Sequence, residues 1–423
     1  MNFVTKIWAK FSGSEFMRNV SSQMIGTGIA QALPFAVTPI LTRLYSEKEF
    51  ALYTSFFAIA GVFEVVSGGR YQFAIVIPKE EDKANRIFAL SIYLTILYSV
   101  LLFLVTLVVP EDNGFKIGKA LYFVPLHVLF FGIWSSFSNL SIRHKTFKDN
   151  AVAKVLQSFF YVLTSIGLGL TNFTLYGLVV GKITGFLSSW VYLFKRSNIK
   201  AAFVQWSSLK GVAKEYIDYP KYGIIPTFLN TISIQAIILV LAKFYGTDDL
   251  GHFGLTTLVL GAPMGLIGAS FKDVFYQKIA YMINTDGAID LSVKFFKKSA
   301  LGLFAIGLPI CAILYFFGPQ LFSFVFGDTW ERAGTFASIL AFSFLVKLVA
   351  SPLSSVFNAV NRLKIASIWQ TFYFITTFIT LGICAYYLKL DVETLFLVYV
   401  VHECILYGLY LVLQYKTLKG LKP

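Results

Sequence analysis

Twelve apolar stretches follow one another along this 423-residue chain, and only short polar breaks separate them. A helix needs about 20 mostly apolar residues to cross the hydrocarbon core of a bilayer. Only 14% of the residues are charged, whereas soluble domains carry roughly 25%. The pattern predicts an all-α integral membrane protein with spans near residues 20–42, 50–77, 87–109, 119–141, 152–171, 175–194, 222–243, 252–275, 296–317, 333–357, 365–388 and 392–414.

Lysine and arginine are unevenly distributed over the breaks between these stretches. If the N-terminus is cytoplasmic, two thirds of the 36 Lys and Arg residues fall in inner segments, and few fall in outer loops. Such a bias sets the orientation of membrane proteins. Both termini are therefore predicted to face the cytoplasm. Topology alone explains the net charge of +14, so nucleic acid is not an expected partner.

The chain also contains a weak internal repeat. Segments 43–50 and 243–250 resemble each other, as do segments 139–145 and 358–364. Six spans separate the members of each pair, which predicts two six-helix bundles related by a pseudo-two-fold repeat, with the substrate path at their interface. The predicted domains are an amphipathic cytoplasmic N-terminus at 1–19 (a frayed tail is the alternative), an N-terminal bundle at 20–194, a basic linker at 195–221, a C-terminal bundle at 222–414 and a cytoplasmic tail at 415–423.

Motifs of hydrolases, transferases and nucleotide-binding proteins are absent from the sequence. It contains no Gly-rich phosphate loop followed by Lys-Ser/Thr, no His-Glu-x-x-His and no Gly-x-Ser-x-Gly. The three cysteines have no metal-ligand spacing. We therefore expect a protein that is not an enzyme and holds no cofactor or metal. Any energy for transport must come from an ion gradient or a partner ATPase.

Charged residues inside the predicted spans are the candidates for substrate and ion sites. Arg70 lies about seven residues from the inner end of the second span, roughly 10 Å deep at 1.5 Å per residue. The repeat places Lys272 near the equivalent depth in the second half, so the two bases are predicted to line one cavity open to the cytoplasm. The candidate substrate-binding bases are Arg43, Arg70, Lys182, Lys272 and Lys347. The candidate ion-coupling groups are Glu64, Asp273, His402 and Glu403.

Each of these charges also has a structural interpretation. Arg70 paired with a carboxylate would only lock helix packing, and lysines near helix ends reach the lipid headgroups at little cost. Glu64 lies about 120° from Arg70 on a helical wheel, so the two are not expected to pair within one helix. Glu64 and Asp273 fit structural pairing as well as proton or sodium binding, and His402 with Glu403 forms only a weak relay signal.

A family resemblance narrows the function. The first 80 residues resemble the N-terminal signature of Wzx-type polysaccharide flippases. The similar positions are the run 39–46, Phe50, Arg70-Tyr71, Ala74-Ile75 and Pro78-Lys79. Segments 143–148 and 220–230 and the motif Phe326-Gly327-Asp328-x-Trp330 are also similar to that family. One departure is Gln72, where the family commonly carries an acid.

The resemblance implies membership of the multidrug/oligosaccharidyl-lipid/polysaccharide exporter superfamily. It also implies a substrate, an undecaprenyl-diphosphate-linked oligosaccharide flipped from the cytoplasmic to the periplasmic leaflet of the bacterial inner membrane by alternating access. The intramembrane carboxylates make a proton or a sodium ion the candidate coupling ion, and glycosyltransferases and a polymerase are the candidate partners.

Two other functions compete with the flippase. A multidrug exporter of the same superfamily would carry organic cations, which favours acidic membrane residues, yet the basic residues in the spans outnumber the acidic ones. A polysaccharide polymerase or ligase would handle the same lipid, but such an enzyme is expected to carry a large periplasmic loop with catalytic groups. No outer loop of this chain has that length.

Overall fold

Helices make up almost the whole of the computed structural model, which describes residues 15–171, 173–197, 206–286 and 289–420. No β-strand occurs within these residues. We number the helices α1 Glu15–Leu44, α2 Glu47–Glu64, α3 Glu81–Val108, α4 Val124–Arg143, α5 Phe147–Gly169, α6 Gly177–Arg196, α7 Trp206–Glu215, α8 Asp218–Phe244, α9 Thr247–Pro263, α10 Ala269–Asp286, α11 Ile289–Phe326, α12 Glu331–Leu353, α13 Val356–Ala359, α14 Leu363–Gly382 and α15 Val392–Lys419.

Shorter helical turns extend or join these helices. The 3₁₀ segments are Ser67–Ala74, Gly118–Phe123, Thr174–Tyr176 and Asp328–Trp330, and the π segments are Met264–Gly268 and Ile383–Tyr387. Eleven helices of the described chain are long and apolar enough to cross a membrane, and one bent pair brings the number up to twelve. The predicted all-α membrane fold with twelve spans is thereby confirmed.

Two predicted spans differ from the structure. The second, expected as one helix over 50–77, is broken: α2 ends at Glu64, and the 3₁₀ segment Ser67–Ala74 continues at an angle of 56°. The eighth was expected to reach residue 275, but it ends at Gly268, and Lys272 lies on the following helix α10. In the first case the backbone turns left-handed within an apolar run, which apolar length cannot reveal. In the second the helix changes to π geometry behind Pro263.

The predicted linker and terminal segments contain helical residues. The basic linker predicted at 195–221 contains the helix α7 and the first turn of α8. Of the amphipathic N-terminus predicted at 1–19, residues 1–14 lie outside the described residues, and residues 15–19 belong to α1. At the far end, Asp391 caps α15 by accepting hydrogen bonds from the Thr394 hydroxyl and backbone N–H. These bonds lower the pKa of Asp391.

Two compact units divide the chain. The first takes in the described residues up to 37 with 56–113 and 117–228, and the second takes in 38–55, 114–116 and 229 onward. In the first unit the core packs the segment 71–94 against α4 and against Leu209 and Val212 of α7. The linker helix α7 is therefore part of the first unit's core and is not a free tether.

The second unit includes the ends of α1 and α2 that meet at residues 44–47. The indole of Trp330 donates to the Thr42 carbonyl at 3.1 Å and packs edge-on against Phe50, with ring centroids 4.8 Å apart. The loop residue Lys116 donates to the carbonyls of Ala242 and Tyr245 at the end of α8. Burial there lowers the pKa of Lys116.

Close backbone contact fixes the crossing of α11 and α12. A Cβ atom on Gly334 of α12 would overlap the carbonyl of Gly318 on α11, and a Cβ atom on Gly318 would lie 2.6 Å from the Gly334 carbonyl oxygen. Because backbone atoms cannot move aside as a flexible side chain can, both positions require glycine. Gly302, also on α11, is exposed, and no atom of the described chain lies within 4 Å of its Cβ position.

Gly334→Ala is expected to lower the stability of the second unit. Overpacking of this kind costs about 1–3 kcal/mol, and the thermal unfolding midpoint of the detergent-purified protein measures it. The matched control is Gly302→Ala, which should stabilise the helix by roughly 0.5–1 kcal/mol because alanine restricts the unfolded chain. Equal midpoints for the two variants would contradict the close crossing.

Candidate functional site

The break in the second span is formed by three successive left-handed residues. Gly68, Gly69 and Arg70 have φ of 63°, 59° and 65°. Glycine adopts this conformation freely, but a residue with a Cβ atom is strained in it by about 1–3 kcal/mol, and such strain concentrates at functional sites. Non-helical backbone at membrane depth is tolerated only when protein buries it or when it lines a water-filled cavity. The backbone thus marks Arg70 independently of its charge.

Side chains around the break satisfy the polar groups that the helix leaves free. The Ser67 hydroxyl donates to the Glu64 carbonyl at 2.7 Å, and the Gln72 amide donates to the Ser67 carbonyl at 3.1 Å. Gln72 is only 2% exposed. An ionised carboxylate cannot donate a hydrogen bond. The glutamine that departs from the family pattern therefore performs a local task that an ionised acid would not.

The guanidinium of Arg70 is half-buried and lies over an aromatic ring. Its central carbon is 4.3 Å from the centroid of Phe73. Gly223 of α8 faces it closely enough that a Cβ atom there would lie 3.5 Å from the Arg70 Nε. No carboxylate within the described residues forms an ion pair with Arg70. Its charge is therefore not compensated by that part of the protein.

The linker helix α7 holds the segment that carries Arg70. The Tyr71 hydroxyl donates to the Ala213 carbonyl at 2.9 Å, and Lys83 forms an ion pair with Glu215 at 3.1 Å. Together with buried Leu209 these contacts dock α7 on the residues that follow the break. The position of Arg70 is thereby tied to the linker between the predicted halves.

A second cluster of charges lies beside the break, within the same unit. The Nε2 of His127 is 2.7 Å from a carboxylate oxygen of Glu64, and the histidine is fully buried between the rings of Phe56 and Phe186. The ammonium of Lys182 lies 5.4 Å from the centroid of Phe57 and within electrostatic range of Glu64. Glu64 therefore interacts with two cationic or titratable partners.

A third cluster lies in the second unit, where Lys347 and Glu403 form a buried ion pair at 2.6 Å. The Glu403 side chain is fully buried, and that of Lys347 is 16% exposed. The Tyr373 hydroxyl donates to Glu403 at 3.0 Å, Lys347 donates to the Tyr399 hydroxyl at 3.2 Å, and the Nδ1 of His402 is 3.3 Å from Glu403. Burying two charges is expensive, and only such additional hydrogen bonds offset the cost.

The five predicted bases therefore differ in their interaction partners and in their exposure. Lys182 and Lys347 lie near carboxylates, and Arg43, at the end of α1, donates to the carbonyls of Pro39 and Val325. Lys272 is exposed on α10. The side chain of Asp273 lies outside the described part of the chain. Arg70 combines partial burial, backbone strain and an uncompensated charge, which none of the other four bases does.

Sequence reasoning missed His127 as the partner of Glu64 and the tyrosines around Lys347. The internal repeat did contain a signal for these buried clusters. His127 and Lys347 are separated by nearly the same number of residues as Arg143 and Arg362, the matching basic residues of the two halves. The separation of Lys182 and His402 is also nearly the same. Aligning the halves on these arginines places both buried clusters at corresponding points of the sequence.

Comparison with known proteins identifies the family. A model described as "Polysaccharide biosynthesis protein" matches residues 40–335. The chain belongs to this family. The resemblance seen in the sequence is thereby confirmed, and the match includes the broken span, Arg70 and the Glu64–His127 pair.

The chain is also similar to a named transport protein. The chain is 21% identical over 345 residues to the succinoglycan biosynthesis transport protein ExoT of Rhizobium meliloti (strain 1021), a match covering 77% of this chain and 65% of that protein. The chain thus spans just under two thirds of the relative's length.

Among solved structures, an inward-facing multidrug resistance MATE family transporter of the MOP superfamily has a TM-score of 0.71 at 12% identity, covering 93% of this chain and 96% of the other. The lipid II flippase MurJ in an inward closed conformation also has a TM-score of 0.71, at 14% identity over 94% and 89%. These likenesses show that the chain shares the fold of this transporter superfamily.

Proposed function

We propose that this protein flips an undecaprenyl-diphosphate-linked oligosaccharide from the cytoplasmic to the periplasmic leaflet of the bacterial inner membrane, by alternating access and with both termini in the cytoplasm. The family assigns the chain to polysaccharide biosynthesis, and a relative is named a transport protein. The fold is that of membrane transporters. A glycan precursor attached to a lipid carrier is the substrate that fits all three observations.

The uncompensated guanidinium of Arg70 is the observation that carries the proposal. A charge within a membrane span is costly, and it is usually paired with another charge or serves a substrate or ion path. Arg70 has no ion-pair partner in the described chain and sits on a strained backbone. Its fork of N–H groups matches two oxygens of a phosphate or diphosphate. The anionic headgroup of the substrate would supply the missing counter-charge.

Exposed Lys272 is the second candidate for the headgroup, because it too lacks an ion-pair partner in the described chain. Lys182 and Lys347 are weaker candidates, since a diphosphate would have to compete with Glu64 or Glu403 for them. Arg43 would have to leave its carbonyl partners. The proposal therefore assigns the headgroup first to Arg70.

The same carboxylates are the candidates for energy coupling. Glu64 and Glu403 each contact a histidine, His127 and His402. A carboxylate next to a histidine can hold or release a proton when the surroundings change. A proton is therefore the coupling ion that these clusters suit best, with sodium as the alternative. Asp273 stays in the proposal on sequence grounds alone.

Export of organic cations fits the observed charges less well. A cationic drug requires an available carboxylate, but Glu64 is hydrogen-bonded to His127 and Glu403 is held by Lys347 and Tyr373. In the described part of the chain, both of these span carboxylates are already engaged. The anionic lipid is therefore the better substrate.

Reconstitution into phospholipid vesicles tests the proposal. The vesicles carry a polyprenyl-diphosphate oligosaccharide with a fluorescent sugar, and a membrane-impermeant quencher is added outside. The purified protein should expose the inner-leaflet probe, so that nearly all fluorescence is lost, whereas empty vesicles lose only the outer-leaflet share. The same vesicles loaded with a fluorescent organic cation form the control.

Flipping of the diphosphate lipid without release of the cation supports the proposal. If the protein releases the cation under an ion gradient and leaves the inner-leaflet lipid protected, the chain is a drug exporter and the proposal is wrong. A phosphate-free polyprenyl glycoside with the same sugar provides the matched probe. It should flip far more slowly, because it offers Arg70 no anion.

A further inference from the structure

A cluster of five lysines lies at one end of the second unit. Lys294, Lys297 and Lys298 are on α11, Lys416 and Lys419 are on α15, and all five side chains are exposed. This is the end that the charge bias predicts to face the cytoplasm. Within the described residues none of the five forms an ion pair with a carboxylate. The cluster is therefore a concentrated positive charge that the described part of the unit does not neutralise.

Tyr415 joins the lysines of the two helices. The Lys297 ammonium lies 5.2 Å from the centroid of the Tyr415 ring, and the Phe296 ring lies 6.3 Å from it. Lys419 follows Tyr415 by four residues and so shares its helical face, just as Lys294 precedes Lys297 by three. Lysines of both helices thus lie around one half-buried tyrosine.

Exposed apolar residues continue from the lysines toward the middle of each span. On α11 the positions following Lys297 at helical spacing are Leu301, Phe304 and Leu308, which are 69%, 42% and 45% exposed. Side chains at such spacings form one stripe along a helix. The stripe begins with a cation and continues with hydrocarbon, which complements a phospholipid, whose anionic phosphate is followed by acyl chains.

The neighbouring helix repeats this order. On α15 the residues preceding Lys416 at helical spacing are Val412, Leu409 and Ile405, exposed by 48%, 50% and 56%. On the adjacent face, Gly408 precedes Tyr415 by seven residues, and no atom of the described residues lies within 4 Å of its Cβ position. The helix face two turns before the tyrosine is therefore not covered by the described part of the protein.

We propose that the ends of α11 and α15 form a binding site for an anionic glycerophospholipid of the adjacent leaflet. The phosphate would bind Lys297, Lys419 and the Tyr415 hydroxyl, while the acyl chains would lie along the exposed aliphatic stripes. Basic pockets between membrane helices bind anionic headgroups in this way. The site is separate from Arg70 and does not depend on which lipid-linked substrate the protein carries.

Native mass spectrometry of the detergent-purified protein tests the site. Phosphatidylglycerol and phosphatidylethanolamine with identical acyl chains are titrated in parallel, and one phosphatidylglycerol is expected to bind preferentially. Each lysine near a headgroup contributes about 1 kcal/mol, so the double variant Lys297→Gln/Lys419→Gln should bind phosphatidylglycerol about 30-fold more weakly. Its unfolding midpoint without lipid should match that of the unaltered protein.

The control removes the same charge elsewhere. Lys148→Gln/Lys364→Gln alters two exposed lysines at the starts of α5 and α14, and it should leave the affinity for phosphatidylglycerol unchanged. Equal weakening in both double variants would show only general charge attraction and would overturn the proposal. A lipid-linked diphosphate that binds this site while phosphatidylglycerol does not would overturn it as well.

Discussion

Replacing Glu403 by alanine should destabilise the protein severely. The change leaves the Lys347 ammonium in a mostly buried position without the carboxylate that now lies 2.6 Å away. It also removes the hydrogen-bond acceptor of Tyr373. Removing one partner of a buried ion pair costs about 3–5 kcal/mol, which is a large share of the roughly 5–15 kcal/mol that holds a typical domain folded. The unfolding midpoint in detergent should fall sharply.

Two further variants make this result specific. Glu111→Ala removes an exposed carboxylate and should leave the midpoint unchanged. The double variant Lys347→Met/Glu403→Leu removes both charges, and it should recover most of the lost stability, because apolar residues can replace a buried pair without penalty. If Glu403→Ala unfolds at the temperature of the unaltered protein, the Lys347–Glu403 ion pair does not stabilise the fold.

The stable double variant also separates bracing from energy coupling. If the cluster only braces its unit, lipid flipping in vesicles should respond to a proton gradient as it does in the unaltered protein. If Glu403 carries the coupling proton, flipping should lose that response while the fold remains intact. Stability and gradient dependence are measured on the same preparation, so a folding defect cannot be mistaken for a coupling defect.

Arg70→Gly should slow lipid flipping strongly while preserving the fold. Glycine removes the guanidinium, and it also relieves the left-handed backbone at φ 65° by about 1–2 kcal/mol. The unfolding midpoint should therefore stay constant or rise. Because hydrogen bonds to charged groups contribute about 1.5–3 kcal/mol, flipping of the diphosphate lipid should slow by roughly 10- to 100-fold.

Arg70→Lys provides the matched comparison. It keeps the charge and the strained backbone but loses the two-pronged geometry of the guanidinium, so flipping should be intermediate. Arg70→Gly that flips the lipid at the unaltered rate would show that Arg70 only braces the break. Loss of stability in Arg70→Gly with recovery in Arg70→Lys would lead to the same conclusion.

Much of the fold was predictable because it follows from local properties of the chain. The length of an apolar run determines whether a helix can span a bilayer, and the run can be read without knowing its neighbours. The first span was predicted to end at residue 42, and α1 ends two residues later, at Leu44. The break of the second span after Glu64 also has a local cause. Its sequence signal is Gly68-Gly69 before Arg70, which concerns backbone conformation and cannot be seen in the length of the apolar run.

The candidate site was predictable only in part. Charge inside a span singled out Arg70, Lys347 and Glu403 as candidates, since any membrane charge requires an explanation. The sequence did not show which charges compensate each other. The Glu64–His127 contact joins residues on different helices, and the distance between them depends on how the helices pack.

The sequence by itself determined that this protein is a helical membrane protein with twelve spans and a polysaccharide-family signature, because apolar length and motif residues are properties of the chain alone. The tertiary structure alone decided which of the five candidate bases keeps an uncompensated charge on a strained backbone. Compensation requires two groups to come within a few ångströms, and only helix packing brings Lys347 to Glu403 while leaving Arg70 without a carboxylate in the described chain.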